Sequence, residues 1–296
     1  MVVSADGDVL ASAGQPDTQC YPRSALKPFQ AAASLGLIDE APPTTDELAV
    51  MAASHTGSRT HQAVVLRVLG RAGVTPAALR CPRALPLDRA ALRERPEPTR
   101  LAHNCSGKHA GFLVAAQRLD VDPARYLEVE SVVQRAVARG LREACDVVPA
   151  GPGVDGCGAP AWRMPLVALA TGYARLAAAD GPLQQVASAM RTHPELVGGQ
   201  GVIDTEIMHA HRRLIAKRGA EATLGIAVRD ERRLGVAIKV SDGAARALGP
   251  VAGAVLARLN LPLPPALARP HVLGGNQPHG EVRPTAGLEE ALAGLR

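Results

Sequence analysis

The sequence is poor in aromatic residues and in lysine. Its 296 residues include one Trp, three Tyr and two Phe, and only four of its 33 basic residues are lysine. The excess of basic over acidic residues is five, and it is scattered along the chain. Nucleic-acid-binding proteins usually present clustered basic stripes or aromatic stacking platforms. The composition therefore argues against nucleic acid as a partner.

Long apolar runs and a disulfide pattern are also missing. No run approaches 18 consecutive apolar residues, so a membrane span is not expected. The first seven residues contain no basic segment ahead of an apolar one, which is unlike a secretory signal peptide. Five cysteines in a chain without secretory features argue against a disulfide framework. We therefore expect a cytoplasmic protein.

The hydrophobic pattern predicts strands at both ends of the chain. Residues 2–13 alternate between apolar and polar around a turn, and residues 223–240 contain two β-rich runs joined by charged residues, so each region is predicted to form a β-hairpin. Residues 82–100 are predicted to be an exposed loop, and residues 147–161 an irregular one. Helices are predicted near 24–37, 46–53, 60–73, 109–119, 123–144, 164–179, 182–191 and 244–259. This order predicts a single α+β domain over residues 1–296.

The four lysines are Lys27, Lys108, Lys217 and Lys239. Arginine stays charged in proteins, whereas a lysine amine can lose its proton and act as a base or a metal ligand. Either these lysines remain by chance, or they are kept for the lone pair of the amine. Their positions decide between the two interpretations.

Ser24 and Lys27 are three residues apart at the start of a predicted helix, which sets them side by side. A neutral lysine amine there can take the serine proton and create a nucleophile. The alternative is that Ser24 is an N-cap and Lys27 a surface residue. The Ser-x-x-Lys spacing also occurs in class A β-lactamases, whose Ser-Asp-Asn and Lys-Thr-Gly motifs are missing here. Because Lys239 ends a predicted strand, a lactamase-like fold is plausible, but lactamase activity is not supported.

Cys105 and Cys157 each lie in a glycine-containing turn, with Lys108 and Asp155 close by in sequence. Two thiolates and one neutral amine would suit zinc and leave a fourth position open. A redox pair, or two unrelated buried thiols, would also account for these cysteines. The residue types alone leave the three alternatives open.

Six segments complete the pattern. They are 22–30 (PRSALKPFQ), 54–57 (SHTG), 104–111 (NCSGKHAG), 155–160 (DGCGAP), 217–221 (KRGAE) and 239–247 (KVSDGAARA). In this order they closely resemble the rhizobial-type L-asparaginase family, which is distinct from the bacterial asparaginases with a threonine nucleophile. All four lysines fall within these segments, which favours a functional role for them.

The resemblance implies a serine β-lactamase-like fold, usually dimeric, that hydrolyses L-asparagine to L-aspartate and ammonia. It implies two serine–lysine pairs: Ser24 with Lys27, and Ser54 with Lys239. It further implies a zinc ion held by Cys105, Lys108 and Cys157, with Asp155 nearby. The expected substrate-binding residues are Arg23, His55, His109 and Asp155. The expected partners are a small-molecule amide and a second copy of the chain.

The chain departs from the family pattern at two internal places. Ser58 stands where the family usually has Glu, and residues 202–205 (VIDT) replace a turn that contains cysteine. These departures keep alternatives open. One alternative is that the chain acts on glutamine or another small amide, and another is that it is a zinc-binding relative without activity. A thiol-redox protein is a further alternative.

Overall fold

The computed structural model describes residues 1–38 and 40–295. Within these residues the chain forms ten β-strands and thirteen α-helices. The strands are β1 (Val2–Val3), β2 (Val9–Ala11), β3 (Gln19–Cys20), β4 (Ala150–Val154), β5 (Pro160–Pro165), β6 (Leu214–Gly219), β7 (Thr223–Val228), β8 (Leu234–Lys239), β9 (His271–Gly274) and β10 (Gln277–Glu281). The helices are α1 (Lys27–Leu35), α2 (Thr45–Met51), α3 (Arg59–Arg71), α4 (Arg89–Glu94), α5 (Ser106–Arg118), α6 (Val132–Cys145), α7 (Leu166–Ala178), α8 (Gly181–Thr192), α9 (Pro194–Val197), α10 (Ile203–Ala210), α11 (Leu248–Arg258), α12 (Pro265–Ala268) and α13 (Ala286–Ala291).

Strands from both ends of the chain form the main sheet, in the order β2-β1-β8-β7-β6. Every neighbouring pair in it is antiparallel. The two predicted hairpins are confirmed, since β1 pairs with β2 and β7 pairs with β8. Val2 then lies opposite Val236, which closes the N-terminal hairpin onto the C-terminal strands. The mixed architecture with an antiparallel sheet agrees with the expected α+β class.

Helix α7 lies very close to the main sheet. A Cβ atom added to Gly235 would lie 1.9 Å from a carbonyl oxygen of α7, and one added to Gly225 would lie 1.9 Å from the Tyr173 ring. Glycine at these two strand positions therefore lets the helix approach the sheet. The buried Tyr173 hydroxyl donates a hydrogen bond of 2.8 Å to the Ala25 carbonyl oxygen. This bond ties α7 to the segment that carries Ser24.

Helices α1, α2 and α5 pack against one another in a helical layer, with α3, α6 and α8 around them. Helix α1 contacts α5, α6 and α8, and α2 contacts α3, α5 and α8. Their buried side chains belong to one continuous apolar core, which also includes the inner face of the main sheet. Because Lys27 begins α1, Ser54 follows α2 and Cys105 precedes α5, this packing gathers the three residues at one end of the helical layer.

Three sequence predictions about the connections are wrong. The helix predicted at 123–144 begins only at Val132, because Ser131 is the N-cap and accepts a hydrogen bond from the Gln134 backbone N–H. The loop predicted at 82–100 contains α4, which Asp88 caps. The region 147–161, predicted to be irregular, contains β4 and the start of β5, which join β3 in a second sheet. That hairpin projects the Cys157 turn toward the helical layer.

The C-terminal part of the chain forms a separate two-stranded hairpin from β9 and β10, and both of its strands are exposed. Within the part of the chain that the structure describes, no helix is both long enough and apolar enough to cross a bilayer.

Candidate active site

Ser24 lies in a tight turn directly in front of α1. Residues Arg23–Leu26 form one 3-10 turn, and the Lys27 backbone N–H donates to the Ser24 carbonyl oxygen. The N-cap role considered for Ser24 is not observed, since α1 has no side-chain cap. The Ser24 side chain is partly exposed, and its hydroxyl has no hydrogen-bond partner among residues 1–38 and 40–295. A free hydroxyl is therefore open to a ligand, one turn away from Lys27.

The backbone of this turn is strained at Arg23, whose side chain is held by two carboxylates. Its φ of +52° lies in the left-handed region, which costs a non-glycine residue about 1–2 kcal/mol. The guanidinium donates to the Asp155 carboxylate at 2.6 Å and to the Glu221 carboxylate at 3.0 Å. Strand β6 passes close to the turn at Gly219, where an added Cβ would lie 2.1 Å from the Pro22 carbonyl oxygen. Arg23 and Asp155, both predicted to bind substrate, are thus paired with each other.

Lys27 is buried and contacts the second predicted serine. Its amine donates to the Ser54 hydroxyl oxygen at 2.9 Å and to the Ala53 carbonyl oxygen. The sequence paired Lys27 with Ser24, whereas the side-chain hydrogen bond goes to Ser54. Burial lowers the pKa of Lys27, and the neighbouring Lys108 amine lowers it further, against the opposing effect of Cys105. These surroundings favour the neutral amine, which is the form that accepts a proton.

Ser54 is fixed by the C-terminal end of α9 and the residue that follows it. Its backbone N–H donates to the Val197 carbonyl oxygen at 2.9 Å, and the Thr56 N–H donates to the Gly198 carbonyl oxygen at 2.9 Å. Only 4% of Ser54 is exposed. The hydroxyl therefore has little freedom to leave Lys27.

Lys239 lies at the end of β8 and contacts a different element. Its amine donates to the carbonyl oxygens of Glu221, at 2.6 Å, and Val240, at 2.8 Å. In the described part of the chain, the predicted pair of Lys239 with Ser54 forms no hydrogen bond. Lys239 instead anchors the turn between β6 and β7, where Glu221 and Ala222 both have positive φ. The same Glu221 reaches Arg23 through its carboxylate.

The predicted metal ligands do converge. The Lys108 amine lies 3.2 Å from the Cys157 sulfur, and the thiol of Cys157 hydrogen-bonds to Cys105. This hydrogen bond holds the pKa of Cys105 below its usual range, and the Lys27 and Lys108 amines add to the effect against burial. Burial opposes the charge on Lys108, but the sulfurs of Cys157 and Cys105 raise its pKa. The Lys108 amine and the two cysteine sulfurs therefore lie together in the buried part of the site.

The donor set fits zinc on one condition. In residues 1–38 and 40–295, no three His, Cys, Asp or Glu side chains are grouped to hold a metal ion. Two cysteine sulfurs and the Lys108 amine are nevertheless three convergent donors, and thiolates suit zinc. Lys108 would have to give up its proton when the metal binds. The residues fit zinc only if this amine is the third ligand.

The two histidines predicted to contact the substrate are fully buried. His55 Nε2 lies 3.0 Å from the Ser106 hydroxyl, and its Nδ1 accepts the Gly57 N–H. His109 Nδ1 lies 2.7 Å from the Tyr126 hydroxyl. Burial lowers the pKa of both histidines well below the ordinary value, so both are neutral at pH 7. They support the walls of the site and expose no surface to solvent.

Sequence reasoning missed a buried ion pair beside Ser54. The Lys217 amine lies 2.6 Å from the Asp204 carboxylate, and neither side chain has exposed surface. Arg218 joins them, with its Nε 3.3 Å from Asp204 and its Nη2 3.4 Å from the Ser54 carbonyl oxygen. The available signal was that Lys217 is the one lysine of the four without an assigned role. The departure from the family at Asp204 was the other signal.

Ser58, the other departure from the family, has a structural role. It is the N-cap of α3, and its hydroxyl oxygen lies 2.6 Å from Nδ1 of His61. His61 Nε2 lies 2.8 Å from the Glu195 carbonyl oxygen. The two side chains form a reciprocal cap at this helix, and His61 is buried.

One end of the helical layer carries a free serine hydroxyl, a serine hydroxyl bound by a lysine, further buried lysines and a pair of cysteines. These are the residue types of a hydrolase site. The family model for L-asparaginase II matches residues 1–284. The chain therefore belongs to the rhizobial-type L-asparaginase II family, whose members hydrolyse the side-chain amide of asparagine. None of the curated proteins compared with the chain is a significant match.

Proposed function

We propose that this chain hydrolyses L-asparagine through an acyl-enzyme on Ser24. The observation that carries the proposal is the 2.9 Å hydrogen bond between the buried amine of Lys27 and Ser54, one turn from the free Ser24 hydroxyl. Ser24 is the more accessible of the two serines, which suits a nucleophile. Ser54 is buried and held by Lys27, which suits a proton relay.

The reaction then has two steps. The Ser24 oxygen attacks the side-chain amide carbon of asparagine while its proton passes to the Lys27 and Ser54 pair. The same pair gives the proton to the departing nitrogen, so that the C–N bond breaks and ammonia leaves. Water next attacks the aspartyl ester, and the Ser24 oxygen recovers a proton as L-aspartate is released. Each group on the enzyme ends in its starting state.

A zinc ion is part of the proposal. Cys105, Cys157 and Lys108 would hold it, with Asp155 on the neighbouring turn. A bound zinc ion supplies a fixed positive charge that orients a polar group of the substrate. The residues of this chain supply the nucleophile and move the protons.

The remaining parts of the proposal concern architecture. An antiparallel sheet built from both chain ends, next to a serine turn and a helical layer, supports a serine β-lactamase-like fold. We also propose a homodimer, as the family resemblance implies, and a cytoplasmic location, as expected from the sequence composition. Sedimentation at two protein concentrations tests the dimer.

The experiment for the proposed substrate is ammonia release from L-asparagine and L-glutamine by protein of known zinc content. Preferential release from L-asparagine supports the proposal. Preferential release from L-glutamine would move the assignment to another amide. A folded, zinc-loaded protein that releases ammonia from neither amide would indicate a relative without activity.

A further inference from the structure

Two neighbouring cations of the site share one carboxylate. Lys217 and Arg218 are consecutive residues of β6, and both lie against Asp204. The Lys217 amine makes the shorter contact, 2.6 Å from Oδ2 of Asp204. The Arg218 backbone N–H donates a hydrogen bond of 3.2 Å to the same oxygen. Together the three side chains carry a net positive charge when Lys217 is protonated.

Arg218 is the less satisfied of these cations. Its Nε is buried and has no hydrogen bond of good geometry, although Asp204 lies 3.3 Å away. Its Nη2 makes only a long contact of 3.4 Å, with the Ser54 carbonyl oxygen. About a third of the side chain is exposed, in contrast to Lys217 and Asp204, which have no exposed surface. The guanidinium thus faces the site with donors to spare.

The other arginine of the site is in the opposite situation. Arg23 is bound by two carboxylates, those of Asp155 and Glu221, at 2.6 Å and 3.0 Å. Its charge is more than balanced, and its donors are in use. Of the two guanidiniums, that of Arg218 is therefore the one that keeps donors for an anionic group.

We propose that Arg218 is the specificity-determining residue that binds the α-carboxylate of the amino-acid substrate. A guanidinium is planar and pairs with a carboxylate through two parallel hydrogen bonds. Arg218 contacts the main chain of Ser54, and the next residue along β6, Gly219, packs against the turn that carries Ser24. A carboxylate held there lies next to both serines. This inference rests on the proposed function, because it assumes that the substrate is an amino-acid amide.

The test compares two amides that differ only in the carboxylate. L-Asparagine carries it, and 3-aminopropanamide is the same molecule with a hydrogen in its place. In Arg218→Gln we expect kcat/KM for L-asparagine to fall about 30-fold or more, since a charge pair partly removed from water is lost. Activity toward 3-aminopropanamide is expected to change less than about threefold. Arg218→Lys should recover part of the loss, and the exposed Arg212→Gln serves as the matched control.

An equal loss with both amides would overturn the proposal, because Arg218 would then only support the fold of the site. No loss with L-asparagine would also overturn it. A second measurement does not depend on turnover: calorimetry should show that L-aspartate binds to Arg218→Gln at least about 30-fold more weakly than to the wild type. Equal affinity would count against the carboxylate anchor.

The two proposals fail in different ways. If L-aspartate binding depends on Arg218 but Ser24→Ala keeps its activity, the anchor stands and the nucleophile is wrong. If Ser24 is essential but Arg218→Gln binds L-aspartate like the wild type, the nucleophile stands and the anchor is wrong.

Discussion

The amine of Lys27 donates a 2.9 Å hydrogen bond to the hydroxyl oxygen of Ser54, 27 residues further along the chain. The serine three residues before Lys27 keeps a free hydroxyl. One lysine therefore contacts a buried serine through its amine and follows a partly exposed serine by one turn of the chain. This arrangement underlies the proposed reaction, in which Ser24 is the nucleophile and the buried Lys27 and Ser54 carry the proton.

Replacing Lys27 by methionine is expected to lower kcat for L-asparagine about 100- to 10,000-fold, which is the usual contribution of a general base. Methionine fills the buried volume without a charge that lacks a partner, so the fold should be kept. Steady-state ammonia release measures the effect, and thermal unfolding checks the fold. A Lys27→Met protein that is folded and retains a tenth of the wild-type kcat would contradict the role of this amine.

Lys239→Met is the matched comparison among the lysines. Lys239 anchors the β6–β7 turn through backbone carbonyl oxygens and does not hydrogen-bond to Ser54. We expect KM to rise several-fold, because the turn carries Glu221, and kcat to fall less than about tenfold. Separate kcat and KM values from the same ammonia assay decide the point. A loss of kcat as large as that of Lys27→Met would favour the pairing with Ser54 that the sequence predicted.

Stability at alkaline pH should report the buried Lys217. Burial lowers the pKa of Lys217 from 10.5 to about 8, even though the nearby Asp204 raises it. Between these two pH values the unfolded chain binds more protons at this residue than the folded one. The free energy of unfolding therefore rises with pH over this window, by about 3 kcal/mol from this residue.

The control for this effect is the double variant Lys217→Met/Asp204→Asn, which removes the charge pair and keeps its volume. Urea unfolding of both proteins is measured at about pH 7.5 and about pH 10, near the two ends of this window. The change in the difference between the two proteins isolates the contribution of Lys217. Wild type should gain stability relative to the double variant as the pH rises. If the difference in the free energy of unfolding between the two proteins does not change with pH, the pKa of Lys217 is not lowered in the folded state.

Metal content should depend on two of the five cysteines. Wild-type protein produced with zinc is expected to contain about one zinc ion per chain, and Cys105→Ala and Cys157→Ala less than about a tenth of that. Cys145→Ala is the control, since Cys145 is buried in α6. Elemental analysis of the purified proteins measures this without an activity assay. Equal zinc in Cys157→Ala and Cys145→Ala would rule out the proposed ligands.

Local pattern predicted the hairpins of the main sheet but not the full architecture. The pair β7 and β8 consists of two β-rich apolar runs joined by charged residues, so the hairpin is plain in the sequence. Strand β6 went unrecognised because its six residues include Lys217 and Arg218, and its register depends on pairing with β7. Helix α6 was predicted too long because Pro123 resembles a first-turn proline, whereas Ser131 is the actual cap.

The candidate site likewise contains residues that spacing along the chain predicts and residues that only tertiary packing brings together. Spacing along the chain identified Lys27 and the Cys105–Lys108 segment, since those residues lie within one turn of a helix. Spacing could not identify the hydroxyl that Lys27 contacts, because tertiary packing brings Ser54 in from the segment that follows α2. For the same reason Arg218 was overlooked. Its exposure and its shared carboxylate exist only after β6 and α10 have packed together.

The most direct test of the proposed reaction is ammonia release from L-asparagine by Ser24→Ala, compared with the wild type at matched zinc content. If Ser24 carries the acyl group, the variant should fold, bind L-aspartate and retain less than about one thousandth of the wild-type kcat. Retention of more than about a tenth of kcat, a loss of less than about 1.4 kcal/mol of transition-state stabilisation, would show that Ser24 is not the nucleophile.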